Sequence, residues 1–127
     1  EGTGVLENLW LALQARGATP ERTRVWLGPC IGPAAFEVGP EVREAFGADR
    51  LEATAACFRP AAGDRWLADL PALARWRLRQ LGLAHVGGND SASAWCTASN
   101  AALFFSHRRD AARFGSTGRM AACIWRS

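Results

Sequence analysis

A chain of 127 residues is long enough for one small domain, whose core can bury about 65% of the surface its unfolded form would expose. An apolar fraction of 49% and a charged fraction of 21% exclude a disordered or fibrous polypeptide. The net charge of +3 is carried by arginines spread from Arg16 to Arg126, so no basic tail suggests nucleic-acid binding, and no apolar run approaches the ~20 residues of a membrane helix.

All the basic residues are arginine and alanine is abundant, which fits a GC-rich genome better than selection for chemistry. Cysteines stand at 30, 57, 96 and 123 without a Cys-x-x-Cys pair or a histidine at zinc-finger spacing. A reducing, cytoplasmic setting is expected, with no signal sequence and no membrane partner. The first residue is Glu1, and a helical apolar pattern begins almost at once, as if the chain were cut near an element boundary.

Val5, Leu6, Leu9, Trp10 and Leu13 recur at helical spacing, which predicts an amphipathic helix over about residues 4 to 15, stopped by Gly17. Thr19 and Pro20 suit the start of a short turn through Thr23, and Arg24 to Leu27 enters a strand. Gly28-Pro29-Cys30-Ile31-Gly32-Pro33 holds too many backbone breakers for a regular element and reads as a rigid loop. Phe36 to Val38 is extended, and Gly39-Pro40 opens a short helix through Phe46 that Gly47 closes.

Ala55 to Arg59 and Arg65 to Leu67 flank a Gly63-Asp64 turn and read as a hairpin. Asp69 caps a helix over 70 to 81 that buries Leu70, Leu73, Ala74, Trp76 or the stem of Arg77, and Leu81, with Gly82 at its end. Ala84 to Val86 is a short strand, 87 to 93 a polar loop, Leu103 to Ser106 another strand, Arg109 to Ser116 a loop, and Met120 to Trp125 the last strand. Helices and strands mix without regular alternation, so the class is α+β: a mixed sheet with flanking helices, in one undivided unit over residues 1–127.

Chemistry concentrates in a few segments, each with a structural reading beside the functional one. The Gly28 to Pro33 loop could let a ligand approach the backbone or could simply turn the chain. Cys96 could be nucleophile, ligand or packing, with His107, Arg108 and Arg109 about one strand away. The cluster from Phe104 through Ser106 to Asp110 suits phosphate, carboxylate or a nucleoside, although paired arginines also form salt-bridge networks. Arg119, after Gly118, points into a cleft or into solvent, and His85 lacks a second ligand at metal spacing.

Taken together and in order, Trp26 to Pro33, Phe36 to Gly39, Glu41 to Phe46, Leu67 to Leu70, Cys96-Thr97, Phe104 to Asp110 and Thr117 to Ala121 resemble the YfiH family over essentially the whole chain. That family was long called polyphenol oxidases and is now read as zinc-dependent purine nucleoside phosphorylases. The resemblance implies that these residues are the C-terminal portion of a single YfiH-like domain. It also departs from the family pattern, which has tyrosine at His107 and an aromatic at Ala98, and shorter stretches before Cys96 and over 111 to 116.

For the intact protein the resemblance implies phosphorolysis of adenosine, inosine, guanosine or methylthioadenosine, with adenosine deamination besides. Purine nucleoside and phosphate are then its partners. The zinc would rest on two histidines and a cysteine upstream of the matched region, so no residue here inherits a metal role and this chain alone would be inactive. Residue type and loop position make Arg108, Arg109 and Arg119 candidates for phosphate, Phe36 and Phe104 for the purine, and Cys96 and Ser106 further substrate-site candidates. The same family has been read as copper laccases and as peptidoglycan-editing muropeptide amidases. A reading of another class is a non-catalytic domain whose arginines dock an anionic partner, which steep salt dependence would reveal.

Overall fold

The computed structural model describes residues 4–123. The first helix, α1 (Val5–Gln14), follows the apolar periodicity, and Gly17 at φ 85° turns the chain beyond it. Only Trp10 of α1 is buried, whereas Val5, Leu9, Leu11 and Leu13 are exposed. A single tight helical turn at Pro20–Arg22 leads into β1 (Val25–Leu27).

Beyond the loop that follows β1 come β2 (Glu37–Val38), α2 (Pro40–Ala45) and α3 (Glu52–Ala55), then β3 (Phe58–Pro60) and β4 (Trp66–Ala68). The hairpin expected around Gly63-Asp64 forms, with Phe58 opposite Ala68 and Pro60 opposite Trp66. β2 adds antiparallel to the other side of β4, giving the order β2-β4-β3. Asp69 then caps α4 (Leu70–Gln80), its Oδ1 accepting the Ala72 N–H at 2.9 Å.

β5 (Val86–Gly88) returns beside β1 in parallel, pairing Val25 with Val86 and Leu27 with Gly88. A last helix, α5 (His107–Phe114), ends at Gly115 with φ 73°. The fold is therefore α+β, with a parallel pair, an antiparallel sheet and flanking helices.

Two apolar clusters hold these elements. Val38, Ala48, Cys57, Phe58, Ala68 and Leu73 pack under the antiparallel sheet, while Trp10, Leu78 and Leu83 pack beside the parallel pair. α4 belongs to both, offering Leu73 to the first and Leu78 to the second. Serving two neighbours, it buries Pro71 and Leu78 as well as Leu73, leaving the expected Leu70, Ala74, Trp76, Arg77 and Leu81 partly exposed. Glu7 of α1 pairs with Arg77 of α4 at 3.0 Å, beside Phe46.

Several sequence expectations are corrected. Ala55 is the end of α3, so the strand expected from Ala55 starts only at Phe58. The strand expected at Ala84 to Val86 begins at Val86 and runs into the loop residues Gly87 and Gly88. Leu103 to Ser106 is no strand: the Asn100 carbonyl accepts the N–H groups of Leu103 and Phe104, closing a turn there. The loop expected over 109 to 116 is mostly α5. Residues 120 to 123 form no regular element, and the remainder of the expected last strand, Ile124 and Trp125, lies outside the described residues.

Candidate functional site

Because β1 and β5 run parallel, the loops that follow them leave the sheet at the same end, where α/β sheets commonly place ligands. The loops meet at Cys30 and Cys96, which form an isolated one-residue parallel bridge, with the Thr97 N–H donating to the Cys30 carbonyl at 2.9 Å. Asn89, 1% exposed, fastens the β1 loop. Its amide donates to the Gly28 carbonyl at 3.2 Å and to the Cys30 sulfur at 3.4 Å, and its Oδ1 accepts the Ser91 N–H at 3.0 Å. A buried amide left without such partners would cost roughly 1–3 kcal/mol, so these contacts fix the loop rather than decorate it.

Arg75 of α4 braces the same region from below. Its guanidinium donates to the carbonyls of Val86 at 2.9 Å, Gly88 at 3.1 Å and Asn89 at 2.8 Å. Asp69, the cap of α4, also accepts the Ser91 hydroxyl at 2.6 Å. The helix start and the β5 loop are thereby one polar unit. Gly88, at φ 79°, lies so close to the Leu27 backbone that a Cβ could not be accommodated.

Cys96 is 3% exposed, and its sulfur accepts the Gly32 N–H at 3.1 Å and the Ser99 hydroxyl at 3.3 Å. Burial is the largest single influence and pushes the thiol up, but the hydrogen bonds from Ser99, Gly32 and Ala98 together outweigh it and hold the group below the ordinary cysteine value. Cys30 is shifted the other way, raised by burial and then by the negative charge of Cys96 and Asp69.

Arg109 spends its donors on the protein. It meets Asp110 through Nε at 2.6 Å and Nη2 at 2.9 Å, and reaches the carbonyls of Thr97 at 2.7 Å, Ala98 at 3.3 Å and Phe104 at 2.9 Å. Asp110 also accepts the Ser106 N–H and the Thr117 hydroxyl, both at 3.1 Å. With Arg109 the leading cause and the Ser106 hydrogen bond next, the Asp110 carboxyl is held down at about 2. The pair ties the Cys96 loop, the start of α5 and the segment after α5 together.

Phe36 and Arg108 come together at another corner. The Arg108 guanidinium lies 5.6 Å from the Phe36 ring centroid and donates through Nη1 to the Glu37 carbonyl at 2.8 Å, leaving a largely exposed fork over an aromatic face. Phe104 is half-buried and Ser106 buried, each held by its backbone to the Arg109 and Asp110 pair. Arg119, next to Gly118 in the chain, is exposed. A groove of about 510 Å³ lies along α5, lined by Phe105, Arg109, Asp110, Phe114, Thr117 and Gly118. Both His85 and His107 are exposed, and the His85 carbonyl serves the β1 ladder by accepting the Val25 N–H at 2.9 Å.

The positioning residues Asn89, Arg75, Asp69 and Thr97 escaped the sequence reading as parts of the site. Asn89 and Thr97 lie in the polar stretch and beside the cysteine it flagged, but only the parallel pairing of β1 and β5 puts them against the Gly28 to Pro33 loop. Among the described residues no group of three or more histidine, cysteine, aspartate or glutamate side chains is placed to hold a metal ion. No helix among them is long and apolar enough to cross a membrane.

The family profile described as multi-copper polyphenol oxidoreductase laccase matches residues 2–127. Among curated relatives, the Escherichia coli (strain K12) protein named purine nucleoside phosphorylase YfiH is 46% identical over 122 residues, covering 96% of this chain and 45% of the relative. The Pseudomonas aeruginosa protein named purine nucleoside phosphorylase PA4543 is 43% identical over 122 residues, 96% of this chain and 46% of the relative. Among solved structures, the Neisseria meningitidis protein NMB0706 superimposes with a TM-score of 0.68 at 38% identity, over 80% of this chain and 40% of that one. YlmD from Geobacillus stearothermophilus superimposes with a TM-score of 0.66 at 28% identity, over 81% of this chain and 37% of that one. The chain thus spans less than half the length of these relatives.

Proposed function

This chain belongs to the YfiH family of laccase-like proteins, and from that premise we propose that it supplies the C-terminal portion of a single-domain purine nucleoside phosphorylase. The observation that carries the reading is the identity of 46% across 96% of this chain with a relative bearing that name. Adenosine, inosine, guanosine and methylthioadenosine are the substrates, phosphate the co-substrate, and adenosine deamination a further activity, in a cytoplasmic enzyme. The zinc of the intact enzyme would rest on ligands upstream of this chain. When bound, it would activate a water for the deamination.

Within this chain the roles divide by geometry. Arg108 holds phosphate, since its guanidinium is oriented by the Phe36 face and, through Nη1, by the Glu37 carbonyl while its other donors stay exposed, and Phe36 and Phe104 receive the purine. Arg109 acts by positioning, because its donors are committed to Asp110 and to the carbonyls around Cys96, and Ser106 fixes the start of α5 with it. Arg119 gives a second phosphate contact from the exposed segment beyond Gly118.

The test joins this chain to the part of the Escherichia coli relative it does not span and follows phosphate-dependent release of hypoxanthine from inosine. Release that a zinc chelator abolishes, with none from the 127-residue chain alone, is the expected result. A folded, zinc-loaded hybrid that releases no base would overturn the proposal. Phenol oxidation after copper loading would favour the laccase reading instead, and cleavage of a muropeptide precursor the amidase reading.

A further inference from the structure

The two loops that leave the parallel sheet pair at a cysteine on each side, and the phosphorylase reading has no use for that coincidence. Directly paired residues on neighbouring strands have their Cα atoms about 5 Å apart. A disulfide needs roughly 4.4–6.8 Å, so the backbone already stands at the right separation. In a parallel pairing the two side chains project to the same face of the ladder. The sulfurs sense each other: the charge of Cys96 is among the influences that raise the Cys30 thiol.

Each sulfur also has a fitting environment. Cys96 sits among donors, the Gly32 N–H and the Ser99 hydroxyl, the setting that stabilises a thiolate. Cys30 is partly exposed, and its sulfur accepts the Asn89 amide N–H at 3.4 Å, which stabilises it as it gives up its proton. Both cysteines are free in this structure, as are Cys57 and Cys123, but Cys57 is buried in the first apolar cluster and Cys123 is exposed on the segment after α5.

We propose that Cys30 and Cys96 form a reversible, peroxide-driven disulfide that locks the β1 and β5 loops together. The Cys96 thiolate attacks one oxygen of hydrogen peroxide; the S–O bond forms, the O–O bond breaks and hydroxide leaves. The Cys30 sulfur then attacks the sulfenic sulfur, forming the S–S bond as the S–O bond breaks, and the departing hydroxyl takes up a proton, from the Cys30 thiol overall, and leaves as water. The two thiols give up two electrons to the peroxide, and a dithiol reductant restores them. Oxidation requires Cys96 to leave its Gly32 and Ser99 partners, so the locked state rearranges the loop that Arg109 holds at Thr97 and Ala98.

The experiment treats the full chain, carrying Cys123→Ser to prevent cross-linking between molecules, with hydrogen peroxide, alkylates residual thiols and digests it with trypsin without reduction. The expected product joins peptide 25–43 to peptide 80–108 with the loss of two hydrogens, and dithiothreitol separates them. Cys30→Ala and Cys96→Ala each abolish this product, since neither peptide holds a second cysteine, and confirm its assignment, with Cys57 remaining alkylated. The same reaction in urea gives the yield set by sequence separation alone. Equal proportions of Cys30–Cys96 and Cys57-containing pairs in native and denatured samples would refute the proposal, as would sulfinic acid at Cys96 with Cys30 still free.

Discussion

At Asp110 a single carboxylate joins three parts of the chain, accepting from Arg109, from the Ser106 N–H and from the Thr117 hydroxyl. Its folded-state value, about 2, lies below the ordinary 3.8, so the charged form is favoured by folding. The stabilisation is therefore complete above about pH 4 and is lost as pH falls towards 2. Thermal midpoints of the wild-type chain should decline across that interval. Asp110→Asn should lower the midpoint at neutral pH and decline less steeply in acid, and an unchanged acid slope would show that another carboxylate governs it. Arg108 gives the complementary case, an arginine with little structural duty. In the active hybrid, Arg108→Ala should raise the KM for phosphate about tenfold with a smaller effect on kcat, because one exposed charge-assisted contact is removed and the fold is left alone.

Among the elements, α5 shows what the sequence withheld. Phe104-Phe105 argued for a strand locally, but Asn100 closes a turn beneath them, and Asp110 accepts the Ser106 N–H at a spacing of four, one more than the capping box that marks a helix start in sequence, so only Gly115 at the end was a legible helix signal. The Asp69 cap, the Gly63-Asp64 hairpin and the α2 start at Gly39-Pro40 were legible because each depends on neighbours in sequence. The site was only half legible for the same reason: Phe36, Cys96 and the arginines stand out by residue type, whereas Asn89 and Arg75 acquire their roles only when β5 docks beside β1. That docking is itself testable. Arg75→Ala removes a charged donor set from the carbonyls of Val86, Gly88 and Asn89 and should cost about 2–3 kcal/mol. Gly88→Ala, which meets both a positive φ and the Leu27 backbone, should cost at least as much, and denaturant titration reads both. A loss under 1 kcal/mol for Arg75→Ala would mean that water replaces the guanidinium without penalty, at roughly the value of an ordinary exposed contact.

For the whole molecule the question is whether two small apolar clusters behave as one cooperative unit. Neither is large, and apolar side chains at Val5, Leu9, Leu103, Phe105 and Phe114 remain in water, so neither has much stability to spare. α4 is the element they share, with Leu73 in one and Leu78 in the other, and the Arg77 pairing with Glu7 and the Arg75 clasp both originate on it. Helix formation is cooperative, so fraying either half of an eleven-residue helix weakens the other. Leu78→Ala creates a cavity only in the cluster around Trp10, at a cost of about 2–5 kcal/mol. Amide exchange should nevertheless accelerate in β3 and β4, beyond the altered cluster, by nearly the same factor as in β1 and β5. Acceleration confined to β1, β5 and α1 would mean that the antiparallel sheet keeps its stability without an intact α4, and that the Asp69 cap with Leu73 suffices to hold that cluster closed.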